Sequence, residues 1–304
     1  MKKVLYFWCL ASFVMVFTLS QCSDGGEGNN LIDSIPDDLK SQKTLTEEEQ
    51  KVEEIVQNIS SPVEMAALIK DVGVPFSIQY LCPTQDVDNY STNFKKSLML
   101  GMFGSDLGYL NIYSKTSSVV TYLTAIKKLA DGLNIGQFFD FGTLKRLAVN
   151  NENLDSLMYI SVNSFNQMDD YLRSNKRGNY SALIITGVWL EGMFLATQVV
   201  KEKPNKAIAE RIGEQKIILE QLIFILSNYR KEDKFPELIK DIEEIKKAYD
   251  GVTIVIEKGE SKTELDKEGR LVIVPGDRSI INITDQQLNN IINIVEKVRN
   301  KNAQ

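Results

Sequence analysis

Ser181-Ala182-Leu183-Ile184-Ile185-Thr186-Gly187-Val188-Trp189-Leu190-Glu191-Gly192-Met193-Phe194-Leu195-Ala196-Thr197-Gln198-Val199-Val200 contains a single charged residue, Glu191. A helix of this length reaches about 30 Å, enough to cross a bilayer. Glu191 sits in the middle, where a membrane penalises a charge by roughly 3 kcal/mol. A buried central helix of a soluble bundle fits better than a span. Such a helix needs apolar neighbours on all sides, so the rest of the chain is expected to be largely helical.

Part of this stretch has a counterpart upstream. Asn93-Phe94 followed by Gly101-Met102-Phe103 recurs as Asn179-Tyr180 followed by Gly187-Val188-Trp189, with 86 residues between equivalent positions. An acid follows each aromatic, Asp106 in one copy and Glu191 in the other. Two related helical halves about a pseudo-twofold axis would explain this; a shared packing solution would explain it equally. Gly101, Gly104 and Gly108 fall at i, i+3 and i+7. They place small residues on one helix face, where a second helix can come close despite a propensity cost of about 1 kcal/mol per glycine.

Apolar periodicity predicts helices near 91–113, 115–131, 136–149, 153–174, 180–201, 206–229 and 235–250. In the last, Leu238, Ile242, Ile245 and Tyr249 share a face. After Gly251 the period changes. Val252 to Ile256 and Leu271 to Val274 read as strands, with a turn at Asp266-Lys267-Glu268-Gly269 and a third short strand near Ser279–Ile283. Thr284-Asp285-Gln286-Gln287 caps a final helix with Leu288, Ile291, Ile292, Val295 and Val298 as its stripe. The fold class is therefore mainly α: a multi-helix bundle with a small C-terminal hairpin or sheet and one helix closing it. The boundaries expected are a helical domain at 44–250 and a small α+β segment at 251–304. Within the first, helices start at Thr46 and at Ser61-Pro62, the second stopped by Gly73.

The N-terminus reads as an address. Met1-Lys2-Lys3 precedes an almost wholly apolar Val4–Leu19, and Leu19-Ser20-Gln21-Cys22 follows the pattern of a lipobox. Sixteen residues are short for a span and suit a signal segment. Gln21 departs from the usual Gly or Ala, a looseness shared with lipoproteins of Bacteroidota. Cys22 is the expected lipidation site, carrying palmitate-type chains, and each buried CH₂ contributes about 0.8 kcal/mol to membrane attachment. The expectation is a signal peptide at 1–21 and a flexible tether at 22–43, rich in Gly, Asn and Ser. Ser23 lacks the retention signal of an Asp at that place, so the outer membrane is the expected location, facing either the periplasm or the surface. An uncleaved anchor or a plain signal peptide is the alternative.

Composition excludes several chemistries. The chain holds 35 basic and 41 acidic residues; removing 21 of 304 residues takes two lysines and leaves 33 against 41, a net charge of −8. Such a surface repels nucleic acid, and no partner of that kind is expected. With Cys9 removed and Cys22 lipidated, Cys82 is the one thiol left, so no internal disulfide can form. Cys82 reads as a small buried hydrophobe before Pro83. The chain has no histidine, which excludes Ser-His-Asp and Cys-His catalysis and HExxH zinc sites. No Walker loop, dinucleotide fingerprint or Gly-x-Ser-x-Gly elbow occurs, and neither cofactor nor metal is expected. Asp266–Arg270 lacks the alternating acids of a calcium loop.

Two residue sets remain as candidates. Asp106, Tyr109 and Tyr113 share a helix face; with Trp189 and Glu191 they could line an acidic, aromatic cleft between the halves, suited to a cation, a sugar or a peptide amine. Ordinary bundle contacts among partly exposed tyrosines are the weightier explanation. Ser156, Tyr159, Asn163, Asn166 and Asp170 form a polar stripe opposite Leu154, Met158, Phe165, Met168 and Leu172. Most such stripes are solvated faces, and a polar groove is the other reading.

Gly101-Met102-Phe103-Gly104-Ser105-Asp106-Leu107-Gly108-Tyr109 and Ser181–Gln198, taken with the lipobox, resemble helical envelope lipoproteins of unknown function in Bacteroidota. That resemblance implies a lipid-anchored helical body and supplies no catalytic residues. The leading expectation is a non-enzymatic binding or scaffold module, anchored through Cys22 and partnered by another envelope protein. The alternative is a small-ligand binder or carboxylate-based hydrolase using Asp106 and Glu191 in the cleft.

Overall fold

A computed structural model describes residues 69–70, 72–150, 154–259, 262–265, 271–274 and 278–304. The signal segment, Cys22, the tether, the helix starts at Thr46 and Ser61, and the Asp266–Gly269 turn lie outside these residues. The chain from Ile69 to Tyr90 carries short 3-10 turns at Ile78–Tyr80 and Gln85–Asn89. Gly73 takes φ +71 and ends the helical turn before it, as its place in the sequence predicts.

Seven helices then follow: α1 Asn93–Ile112, α2 Thr116–Gly132, α3 Phe141–Asn150, α4 Leu154–Ser174, α5 Gly178–Glu202, α6 Lys206–Ser227 and α7 Phe235–Ala248. The expected boundaries hold within a few residues at six of them. The 136–149 helix is the exception: Gly136–Phe138 forms a separate 3-10 turn and Phe139 is extended (φ −116, ψ 117). Asp140 resets the chain there. Its Oδ1 accepts from Thr143 N at 3.0 Å and its carbonyl from Leu144 N at 2.9 Å, so α3 starts on an Asp cap.

α5 is the hub of the bundle, packing on α1, α4, α6 and an eighth helix, α8 Asp285–Ala303. Among the described residues it alone is long and apolar enough to cross a membrane, yet 89% of its apolar window is buried inside the body. Tertiary contact, rather than lipid, covers it.

The tightest contact is α1 against α5, crossing at Gly101 and Gly187. A Cβ on Gly101 would fall inside the carbonyl of Ile184 and 2.7 Å from Val188 N. A Cβ on Gly187 would fall inside the carbonyl of Leu98 and 3.1 Å from Met102 N. Leu98 and Ile184 are themselves 86 residues apart, as are Met102 and Val188. The crossing is thus locally twofold. The likeness stops there: Asn93 Nδ2 donates to Tyr180 Oη at 3.0 Å, whereas Asn179 Nδ2 donates to Glu232 at 2.7 Å. Gly104 and Gly108 play no part, since nothing lies within 4 Å of a Cβ at either.

The C-terminal strands are β1 Thr253–Glu257, β2 Lys262–Leu265, β3 Leu271–Val274 and β4 Arg278–Asn282. β1 does not pair with Leu271–Val274. It pairs antiparallel with β4, Thr253 opposite Asn282 and Glu257 opposite Arg278. Lys262–Leu265, unanticipated as a strand, pairs antiparallel with β3 in a second two-stranded sheet, Lys262 opposite Val274. Strand residues with both apolar and charged neighbours leave pairing open in a sequence; register is decided by partners.

The last helix also departs from expectation. α8 does not close the sheet but packs on α5 and α7. Its start is a full capping box: Thr284 accepts from Gln287 N at 3.2 Å, and Gln287 Oε1 accepts from Thr284 N at 2.8 Å. Ile291, Ile292, Val295 and Val298 are buried along it, and Lys301 ties it to Glu237 and Asp241 of α7 at 2.9 and 2.8 Å.

Candidate functional site

One turn beyond the glycine crossing, Asp106 of α1 and Glu191 of α5 face the same interior point. α8 brings Arg299 to it, and the segment between the two 3-10 turns brings Cys82. None has more than a trace of exposed surface: Cys82, Asp106 and Glu191 are at 0% and Arg299 at 6%. Arg299 donates Nε to Glu191 Oε2 at 2.8 Å and Nη2 to Oε1 at 2.7 Å, a two-pronged guanidinium–carboxylate pair. Nη2 also reaches the Tyr80 carbonyl at 2.9 Å and Cys82 Sγ at 3.2 Å. The guanidinium lies 4.2 Å from the Phe194 ring centre. Asp106 Oδ2 accepts from Cys82 N at 3.0 Å, and the Tyr122 hydroxyl donates to the Cys82 carbonyl. Five separate stretches of chain are thereby pinned together.

Burial decides the protonation pattern. Asp106 is held well above the usual carboxylate range, first by loss of water and then by Glu191; Arg299 and the Cys82 N–H pull it back only in part. Asp106 Oδ1 has no hydrogen-bond partner among the described residues, and the nearby Glu191 carboxyl favours a proton on the Asp106 carboxyl. The Cys82 thiol is also pushed up, by burial first and then by the two carboxyls, so it stays an S–H facing Glu191 Oε2 at 3.5 Å. Tyr122 is raised by burial and then by Asp106.

This arrangement has a pH signature. The folded protein keeps the Asp106 proton to higher pH than the unfolded chain, whose aspartates titrate near about 3.9. The resulting stabilisation is complete below that value and is lost as pH rises through the folded value. Asp106→Asn fixes the neutral form: its carbonyl accepts from Cys82 N–H and its amide donates to Glu191. Urea unfolding of Asp106→Asn across pH 4 to 9 should show a smaller decline in stability with rising pH than the parent. Parallel profiles would mean that no proton is held there.

Cys82, Asp106 and Glu191 each offer a ligand atom, all within 4.8 Å of one another. A thiol and two carboxyls could serve a metal. Here the guanidinium already fills the position a cation would take: it brings the positive charge and occupies both Glu191 oxygens. The donor set fits Arg299 rather than a metal.

The expected cleft is not one site. Asp106 and Glu191 do meet, but behind packed helices. Trp189 is two residues from Glu191 and so on the other side of α5; its Nε1 donates to Gln215 of α6 at 3.0 Å. Tyr109 and Tyr113 do share the Asp106 face, and the chain's own 74–82 segment covers it. Tyr109 Oη accepts from Ser77 N at 3.1 Å, Tyr113 Oη donates to the Val74 carbonyl at 2.6 Å, and Phe76 stacks on Tyr109. In the α4 stripe Asn163, Asn166 and Asp170 are exposed while Met168 and Leu172 are buried, a solvated face; the side chains of Ser156 and Tyr159 lie outside the described ones.

Sequence reasoning missed Arg299 and misjudged Cys82. The signal for Arg299 was present: it lies four residues after Val295 and seven after Ile292, on the apolar stripe of α8. An arginine on such a stripe requires a buried acid. For Cys82, burial is right but its neighbours are polar, which no local pattern around Pro83 indicates. Comparison with protein-family models, with curated proteins and with solved structures finds no match.

Proposed function

We propose that this chain is a non-catalytic binding or scaffold module of the cell envelope, held to the outer membrane by lipid on Cys22. The lipobox Leu19–Cys22 and the acidic, histidine-free body support the location and the absence of common catalytic sets. The observation that carries the binding reading over a carboxylate hydrolase is the closure of Asp106 and Glu191. A retaining or inverting glycosidase needs both carboxyls open to a bond and to water. Here one is clamped by Arg299, the other is fixed by a backbone N–H, and both are sealed from solvent.

The test is made on cells expressing the full chain. Alkyne-palmitate labelling should tag the parent and fail with Cys22→Ala, and mild crosslinking followed by mass spectrometry should recover a stoichiometric envelope partner. Label retained by Cys22→Ala removes the anchor. Saturable substrate turnover by the purified protein, abolished by Glu191→Gln, would replace the binding reading with an enzymatic one.

A further inference from the structure

Directly outside the buried cluster, where α1 begins and α8 ends, lies a concavity of about 740 Å³. That size suits a small molecule, in the range of roughly 300–1,000 Å³ found for ligand pockets. Its lining mixes polar and apolar surface and includes Lys95 of α1, Lys234 just before α7, and the outer edge of Arg299. Three cationic side chains converge here on a chain with more acids than bases.

Their present partners leave that charge largely unmet. Among the described residues, no carboxylate lies within 4 Å of Lys95 or Lys234. The Lys95 ammonium has three donors; it gives one to the Asn302 carbonyl at 2.6 Å and lies 5.5 Å from the Tyr90 ring centre. Burial, and the like charge of Lys234, both act against its protonated form. Arg299 turns Nη1 outward to Asn300 Oδ1 at 3.2 Å, while its other nitrogens serve Glu191, Tyr80 and Cys82. Asp86, an acidic side chain on the wall, accepts from Asn89 Nδ2 at 3.3 Å, and the last residue, Gln304, also lines it. Two like charges share one hollow, one of them partly withdrawn from water, so an anion between them would relieve their repulsion. The asparagines beside them offer the neutral donors and acceptors that a hydroxylated ligand needs.

We propose that this hollow binds a small, polar ligand bearing an oxyanion, with the carboxylate or phosphate held between Lys95 and Lys234. The inference deepens the binding reading above and rests on it for its biological sense. It fails separately, because the anchor and the partner are tested through Cys22 and crosslinking, neither of which involves the hollow.

Isothermal titration of the full chain in detergent, at low salt, uses D-glucuronate and glucose 6-phosphate as probes, with glucose and inorganic phosphate as references. At least one of the two anionic sugars should bind saturably, and which of them does so separates a carboxylate from a phosphate ligand. Lys95→Gln and Lys234→Gln should each weaken that binding about tenfold, the loss of one charge-assisted contact. Lys231→Gln, at an exposed lysine that does not line the hollow, should leave it unchanged. Glucose should not bind. If Lys95→Gln compromises folding, Lys234→Gln decides, since its side chain is exposed. No saturable binding of either anionic sugar, binding indifferent to Lys234→Gln, or equal affinity for glucose or for inorganic phosphate would overturn the proposal.

Discussion

Gly101→Ala should destabilise the protein by about 3 kcal/mol, at the upper end of overpacking costs, because the added methyl meets backbone rather than a movable side chain. Its nearest neighbours are the Ile184 carbonyl and Val188 N of α5. Neither can give way without moving a helix that also packs on α4, α6 and α8. Gly187→Ala meets the Leu98 carbonyl in the same way and should cost a similar amount. The two losses will not add, since either one already separates the helices. Gly104→Ala supplies the contrast. Nothing lies within 4 Å of its Cβ, so alanine's better helix propensity should stabilise by about 0.5–1 kcal/mol. Thermal unfolding resolves all three: Gly101→Ala should lower the midpoint by roughly 6–12 °C and Gly104→Ala should raise it slightly. Equal effects at the two positions would show that α1 and α5 do not cross at Gly101.

Arg299→Met should cost about 3–5 kcal/mol, the usual penalty for stranding one member of a buried ion pair. Glu191 would be left without its counter-ion, and the Tyr80 carbonyl and Cys82 would lose the donor that ties them to α8. Glu191→Leu alone leaves a buried guanidinium and should be comparably harmful. The double variant Arg299→Met/Glu191→Leu removes both charges and fills similar volume. It should recover most of the loss, because apolar replacements of buried pairs are often neutral or better. Arg299→Lys should rescue poorly, as a point-like ammonium cannot make two parallel bonds to Glu191 while also reaching Tyr80. Urea unfolding of the four variants gives the coupling directly. A double variant as unstable as the sum of the singles would mean that the pair is not the unit holding Cys82, α1, α5 and α8 together.

The same cluster explains why the candidate site was half legible. Asp106 stood out as the single acid of α1 and Glu191 as the single acid within the apolar stretch Ser181–Val200, and such acids must find a partner when buried. Their meeting follows from the close crossing of α1 and α5 at Gly101 and Gly187, which the structure reveals. Trp189 was grouped with Glu191 by proximity in the chain, although a helix turns about 200° between them. The cover over Tyr109 and Tyr113 comes from residues 74–82, in 3-10 turns and extended chain without a readable period. The hollow beside Lys95 was invisible for a similar reason: Lys95, Lys234 and Arg299 come from three distant places.

The helical class, the buried character of α5, the capping of α8 and most helix limits are legible in the order of the residues. These depend on periodicity and on residues within four positions of one another, which the chain order records. Only the tertiary structure decided that β1 pairs with β4, that α8 joins the bundle instead of closing the sheet, and that Gly101 is used while Gly104 and Gly108 are not. It also decided that Arg299 closes the carboxyl pair and that two lysines share one hollow. Each of these depends on distances between residues far apart in the chain, fixed when buried charges and backbone contacts are satisfied together.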